Sequence, residues 1–324
     1  MRFSHVAKVA LSCLILAAVP SLGWAGPKAI AITQIATHPG IDAIRDGFIA
    51  EMARLGYRNG VDVVYEFTNA NGDMPTAQQI AEKIARDKPS LAFAISTPSS
   101  QTVAKALRRT TVPLVFGAVT DPVAAGLVKS LREPGGNVTG TSDQWPVGVQ
   151  FDLLRRLVPT VKKVGVIHNP GEANSASNLR AVRAALDARG LLLVDASVAS
   201  TGEIATAAQS LVGKVDAIYV PADNTVISGM AAIVKIGEQN RLPVLPGVSS
   251  SIEVGGIGTL GPDYRDVGAQ SARLADRVLK GERPAAISVS VVERFDYVFN
   301  VRSAAAMGVA IPADLKARAS KVYE

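Results

Sequence analysis

From Lys28 onward, short apolar runs alternate with longer amphipathic stretches, and this rhythm limits the possible folds more than any other feature of the chain. Leu91 to Ile95 is apolar throughout, which suits a strand buried on both faces. Ile41 to Leu55 carries apolar residues at three- and four-residue spacing, which suits a helix lying on a sheet. Strand, helix and strand in that order build parallel pairs, because a parallel neighbour needs a crossover. The spacing predicts strands at Ala29 to Thr33, Val61 to Phe67, Leu91 to Ile95 and Val112 to Phe116, with helices at Ile41 to Leu55, Thr76 to Arg86 and Ser99 to Arg108.

Pro134-Gly135-Gly136 breaks the rhythm, and Val138 to Ser142 reads as a strand leading out of this first unit. A second series follows, with strands at Lys163 to Ile167, Leu191 to Ala196, Ala217 to Val220 and Val244 to Leu245. Its helices are predicted at Val147 to Leu157, Ser175 to Arg189, Glu203 to Leu211 and Thr225 to Gln239. Gly255 to Leu260 then reads as a return strand, Tyr264 to Leu279 as a helix packing back on the first unit, and Phe295 to Val301 as a last crossing. The expected fold class is α/β, with two Rossmann-like lobes of parallel sheet joined by a multi-stranded hinge and a cleft between them. Lobe I is expected to comprise 26–143 plus 262–292, and lobe II 144–261 plus 293–324.

The first 25 residues stand apart from this pattern. Arg2 and Lys8 precede an apolar run from Val9 to Val19, and Gly23-Trp24-Ala25 has the spacing of a signal peptidase site. The run is too short for a permanent membrane anchor, so the expected product is exported, begins near Gly26 and is not stably inserted in a membrane. The only cysteine, Cys13, lies inside the segment to be removed; Ala10-Leu11-Ser12-Cys13 is a poor lipidation motif placed too early. The mature chain then has no disulfide, thiol nucleophile or cysteine metal site. Losing Arg2 and Lys8 lowers the formal charge from +6 to +4, spread thinly without a basic run, which disfavours nucleic acid.

In open parallel sheets, ligands bind beyond the carboxyl ends of the strands, where helix N-termini present free N–H groups. The polar residues at those ends therefore belong together. In the first unit they are Gln34 with His38, Ser96-Thr97-Pro98-Ser99-Ser100, Thr120-Asp121-Pro122 and Ser142-Asp143. In the second they are Asn169 to Ser175, Asp223-Asn224 and Ser249 to Ser251. Helix capping explains one side chain at each corner, as at Thr97 before Pro98 and Asp121 before Pro122. It does not explain the surplus. No lysine or arginine occurs at these ends, so a multiply charged phosphate is disfavoured. A single carboxylate suits helix N–H groups with the hydroxyls of Ser99 and Ser100, and Asp121, Asp143, Glu172 or Asp223 suits an ammonium group. A zwitterion such as an α-amino acid matches both. If Asp223 is the acceptor, Asp223→Ala is expected to weaken binding at least about tenfold without lowering the melting temperature of the unliganded protein.

Other motifs carry less. Gly256-Ile257-Gly258-Thr259-Leu260-Gly261 spells a dinucleotide fingerprint, but its glycines fall on the expected strand itself and Pro262 follows. His38 and His168 are far apart with no companion ligands, which disfavours zinc and reads each as a structural histidine. No G-x-S-x-G elbow occurs, which disfavours a serine hydrolase. No cofactor, metal or catalytic residue is expected.

Six segments together resemble a known family: ITQIATHPGIDAIRDGF at 32–48, TPSSQ at 97–101, VFGAVTDPVAAGLV at 115–128, PGGNVTGTSD at 134–143, NPGEANS at 169–175 and VDAIYVPADNTV at 215–226. They are similar to the exported substrate-binding proteins of ABC transporters typified by tryptophan and tyrosine binders. The resemblance implies a type I periplasmic-binding-protein fold whose lobes close on a small molecule and deliver it to a permease, without catalysis and as a monomer. It implies contacts from the Thr97 to Ser100 turn, Thr120-Asp121, Ser142-Asp143, Glu172 with Asn174-Ser175, and Asp223-Asn224. Gln144-Trp145 and the loop Pro246 to Ser251 depart from the family pattern. An aromatic ligand also needs a flat apolar wall, and among Trp145, Phe116, Tyr219 and Tyr264 the expected stacking partner is Trp145. The same architecture serves an alternative role, a periplasmic sensor that signals to a membrane receptor.

Overall fold

The computed structural model describes residues 26–324, so the expected export signal at 1–25 lies outside the described residues. In chain order the first half contains β1 (Lys28–Gln34), α1 (Pro39–Arg54), β2 (Val63–Asn69), α2 (Met74–Asp87), β3 (Leu91–Ile95), α3 (Thr97–Leu107), β4 (Leu114–Gly117) and β5 (Val138–Ser142). Next come α4 (Gly148–Leu157), β6 (Lys163–His168), α5 (Ala173–Asp187), β7 (Leu192–Ser197), α6 (Ile204–Leu211), β8 (Ala217–Val220), α7 (Asn224–Ser228), α8 (Met230–Asn240) and β9 (Val244–Pro246). The return portion contains β10 (Gly258–Gly261), α9 (Tyr264–Leu279), β11 (Ser290–Val291), β12 (Asp296–Asn300), α10 (Val301–Ala306), α11 (Ala313–Ala317) and β13 (Ala319–Tyr323).

Six strands form one parallel sheet in the order β11-β5-β4-β3-β1-β2, and four form another in the order β7-β6-β8-β9. A small third sheet pairs β10 antiparallel to β12 and β12 parallel to β13. Because α9 packs on α1 and β11 pairs with β5, the chain returns to the first sheet after β10 and leaves it again before β12. Several connections between two parallel sheets make the hinge that the sequence rhythm implies.

The layers follow from burial. Every residue of β3 is buried, as its unbroken apolar run requires of a strand covered on both faces. On one face, Phe93 stacks on Phe48 of α1 with ring centroids 4.0 Å apart. On the other, Ala92, Ala94 and Phe116 share a core with Val103 and Leu107 of α3 and Ile84 of α2.

Among the boundaries that differ from the sequence reading, three have a clear local reason. β2 starts later than expected because Asp62 accepts the backbone and side-chain N–H groups of Arg58, holding that segment in a turn. β4 starts after Pro113, which has no N–H to give a ladder. The single helix expected from Thr225 to Gln239 is broken at Gly229, where a Cβ would lie 2.4 Å from Ile204 Cδ1; the kink lets the chain pass over that side chain. The edge strands β11 and β13 carry no clear signal in the sequence.

Candidate functional site

The carboxyl ends of the two parallel sheets face one another across a narrow cavity of about 30 Å³. From the side of the first sheet come His38, Ser96 and Thr97, Ala118 and Thr120, and Asp143, which follow β1, β3, β4 and β5 respectively. From the second come Asn174, Ala222 with Asn224, and Val248, which follow β6, β8 and β9. Ile41, Ile44 and Ile227 add aliphatic wall, and Tyr264 at the start of α9 closes the hinge side. No lysine or arginine lines this space.

Buried polar atoms without partners gather on these walls. Among the described residues, His38 Nε2, Ser96 Oγ, Thr97 Oγ1, Asp143 Oδ1 and Asn174 Oδ1 have no aligned hydrogen-bond partner. Native interiors satisfy nearly all such groups; of the thirteen exceptions among the described residues, these five stand on the walls of one cavity, where a bound molecule could supply their partners. The backbone is strained in the same place. Ser96 has φ 76° and ψ 165°, a region that normally only glycine adopts, and Ala118 has φ 56°.

Asp143 is the acid that faces the cavity. Its Oδ2 accepts the Tyr264 hydroxyl at 2.8 Å, and its Oδ1 is left over. Burial holds its pKa above the ordinary carboxylate value, against the opposing pull of the Tyr264 and Thr120 hydroxyls and its own N–H.

The other three acids named from the sequence are engaged elsewhere. Glu172 accepts from the backbone N–H and amide of Asn224, from the N–H and hydroxyl of Thr225 and from the Asn174 amide, so it caps α7 from a neighbouring loop. Asp223 accepts the Val226 N–H at 3.0 Å and the Asn169 N–H at 2.6 Å. Burial, and then the nearby charge of Glu172, push its pKa up to about 7. Asp121 caps a surface turn through the Ala124 N–H.

Of the fifteen positions singled out in the sequence, Thr97, Thr120, Asp143, Asn174 and Asn224 line the cavity. Gln34 braces its own turn by donating to Ala36 O and Asp42 Oδ1. Ser100 donates back to Ser96 O, Ser142 donates to Thr120 O, and Asn169 donates to Thr225 Oγ1. Ser99 and Ser175 are buried at the starts of α3 and α5 but do not line the cavity. Trp145, the expected stacking partner, instead packs beside Gly247 and Tyr219, where a Cβ on Gly247 would lie 3.0 Å from its ring. The aromatic side chain at the cavity is Tyr264. His38, read from the sequence as structural, lines the cavity; its position after β1 was the available signal. His168 pairs with Asp195 at 2.7 Å, and no group of three or more metal-ligating side chains occurs among the described residues. No helix among them is long and apolar enough to cross a membrane.

The geometry reverses one half of the expectation for Asp223. Losing its carboxylate strands the Val226 N–H at the start of α7 and the Asn169 N–H after β6, so Asp223→Ala is expected to lower the melting temperature of the unliganded protein, a cost of about 1–3 kcal/mol measurable by chemical denaturation.

Residues 29–323 match the family described as ABC transporter substrate binding protein. A tyrosine-binding protein of Clostridioides difficile is 38% identical over 273 residues, 84% of this chain and 79% of that one. A Streptococcus ABC domain solved in complex with L-Trp is 33% identical, covers 92% of this chain and all of its own, and superposes with a TM-score of 0.88. A ligand-free, open substrate-binding protein with adhesive properties from Clostridium difficile is more similar in sequence, at 38% over 91% of this chain and 99% of its own, yet superposes with a TM-score of only 0.69. Divergence cannot explain that order. This chain thus superposes more closely on the L-Trp complex than on the ligand-free, open relative. With two parallel-sheet lobes facing across a polar cavity and a match over nearly all the described chain, this protein belongs to the ABC transporter substrate-binding protein family.

Proposed function

We propose that the mature chain is an exported receptor that captures a free amino acid with an aromatic or otherwise apolar side chain and hands it to an ABC permease. The lobes that close on it are 26–143 plus 262–292 and 144–261 plus 293–324. One observation carries this reading: the cavity is walled by unpartnered buried polar atoms from both sides, with one free carboxylate oxygen and no cationic side chain. A ligand matching that set brings one ammonium group, for Asp143 Oδ1, and one carboxylate, for the donors around the start of α3. The hydroxyls of Ser96 and Thr97 and the free N–H groups of that helix end converge there. The aliphatic walls and Tyr264 suit an apolar side chain, whose burial is worth about 1.5–3 kcal/mol.

Closure follows from the same arrangement. A ligand held first by one lobe gains further contacts from the other only when the cleft shuts, so it favours the shut form by that difference. Nothing in such a cycle requires the ligand to be transformed.

A melting-temperature screen against the standard amino acids, nucleosides and small sugars tests the reading. At ligand concentrations about a hundred times Kd, binding adds about 2.7 kcal/mol of stability, and a clear rise is expected with L-tryptophan, L-tyrosine or another apolar amino acid. A rise confined to sugars or nucleosides would exclude the proposal.

A further inference from the structure

His38 caps α1 with one ring nitrogen and leaves the other unexplained. Its Nδ1 accepts the Ile41 N–H at 3.4 Å, which satisfies one of the free donors at the start of the helix. A ring nitrogen that accepts carries no proton, so the neutral ring holds its hydrogen on Nε2. Burial keeps the ring neutral by pushing its pKa down to about 4, against the opposing influence of Asn224, Asp42 and Glu172. The residue is only 7% exposed, it lines the cavity, and Nε2 has no partner. Asn224 approaches the ring from the opposite lobe, close enough to oppose the fall in its pKa, but its amide oxygen makes no aligned hydrogen bond to Nε2. A buried donor left unpaired costs about 1–3 kcal/mol, and capping alone does not require it, since aspartate caps a helix with no surplus donor.

We propose that His38 is a ligand-binding residue whose Nε2–H donates to an oxygen of the bound amino acid. The inference rests on the amino-acid reading of the cleft and adds one contact to it. That oxygen has two sources, the α-carboxylate common to all amino acids or a side-chain hydroxyl such as the phenol of tyrosine. Sites built to hydrogen-bond a hydroxyl discriminate strongly against the analogue that lacks it.

Calorimetric titration of wild type, His38→Asn and His38→Gln with L-tyrosine and L-phenylalanine tests the assignment. Asparagine keeps the cap and loses the reach of Nε2, whereas glutamine keeps a donor at comparable reach and caps poorly. A ligand donor predicts that His38→Asn weakens binding about tenfold or more at an unchanged melting temperature of the ligand-free protein, and that His38→Gln binds more tightly than His38→Asn despite a lower one. A loss confined to tyrosine assigns the phenol as the acceptor, and an equal loss for both ligands assigns the carboxylate. Wild-type binding that His38→Asn leaves intact overturns this proposal alone, whereas a wild type that binds no amino acid overturns the reading of the cleft and this proposal with it.

Discussion

Asp143→Asn is expected to weaken amino-acid binding by about a hundredfold, the effect of removing one member of a buried, charge-assisted pair. The carboxylate is fixed from one side by the Tyr264 hydroxyl at 2.8 Å, so its other oxygen is presented to the cavity without an entropic cost at the moment of binding. Asparagine preserves the shape and can still engage Tyr264, so the loss isolates the charge. Stability should move the other way. Burial raises the Asp143 pKa, which means that the ionised form is held at a cost in the ligand-free fold. The neutral amide removes that cost, and the ligand-free melting temperature at neutral pH should hold or rise.

The pH dependence supplies an internal check with opposite signs. For a carboxylate whose folded pKa lies above its unfolded value, the folded state binds more protons across the window between the two. The Asp143 contribution to ligand-free stability therefore grows as pH falls through that window. Affinity instead declines there, because a protonated Asp143 cannot pair with an ammonium group. Titrations of wild type and Asp143→Asn across the acid range should show this decline in the first and not in the second. Equal affinity of the two proteins at neutral pH would remove Asp143 from the ammonium contact.

Most of the architecture was legible in the chain because buried parallel strands and amphipathic crossover helices have distinct periods, 2 or none against 3.6. The convergence of strand ends was legible for the same reason, since it follows from topology. What stayed hidden was the direction of individual side chains. Asp121, Asp143, Glu172 and Asp223 are equivalent in a sequence, yet in the fold three receive N–H groups and one keeps an oxygen for the cavity. Capping and ligand binding draw on the same residue types at the same places, and only the rotamer separates them. Tyr264 was ambiguous for another reason: its partner Asp143 lies 121 residues away, brought close by a helix returning from the other lobe. Trp145 was ambiguous because a large aromatic beside a crossing suits packing between the lobes as well as it would suit a ligand.

Gly268→Ala is expected to destabilise the protein by about 3 kcal/mol and to weaken ligand binding with it. α1 and α9 touch backbone to backbone. A Cβ at Gly268 would lie 2.0 Å from Ile44 O and 2.8 Å from Phe48 N, and a Cβ at Gly47 would lie 2.1 Å from Arg265 O. Glycine on each helix thus faces main chain of the other. Alanine has the better helix propensity, a gain of roughly 0.5–1 kcal/mol in a helix interior, but it cannot be accommodated by rotating a side chain because the obstacle is backbone. The helices must separate, and overpacking of this kind typically costs about 1–3 kcal/mol or more, so the clash outweighs the propensity. The site moves as well. Ile41 and Ile44 stand on α1 and Tyr264 begins α9, so widening this contact shifts the aliphatic wall away from the aromatic side chain and the Asp143 carboxylate that it orients. Chemical denaturation of Gly268→Ala, paired with calorimetric titration of the amino acid that wild type binds, reads both effects. A variant as stable as wild type, or more stable by the propensity gain, would show that the two helices do not meet this closely in solution.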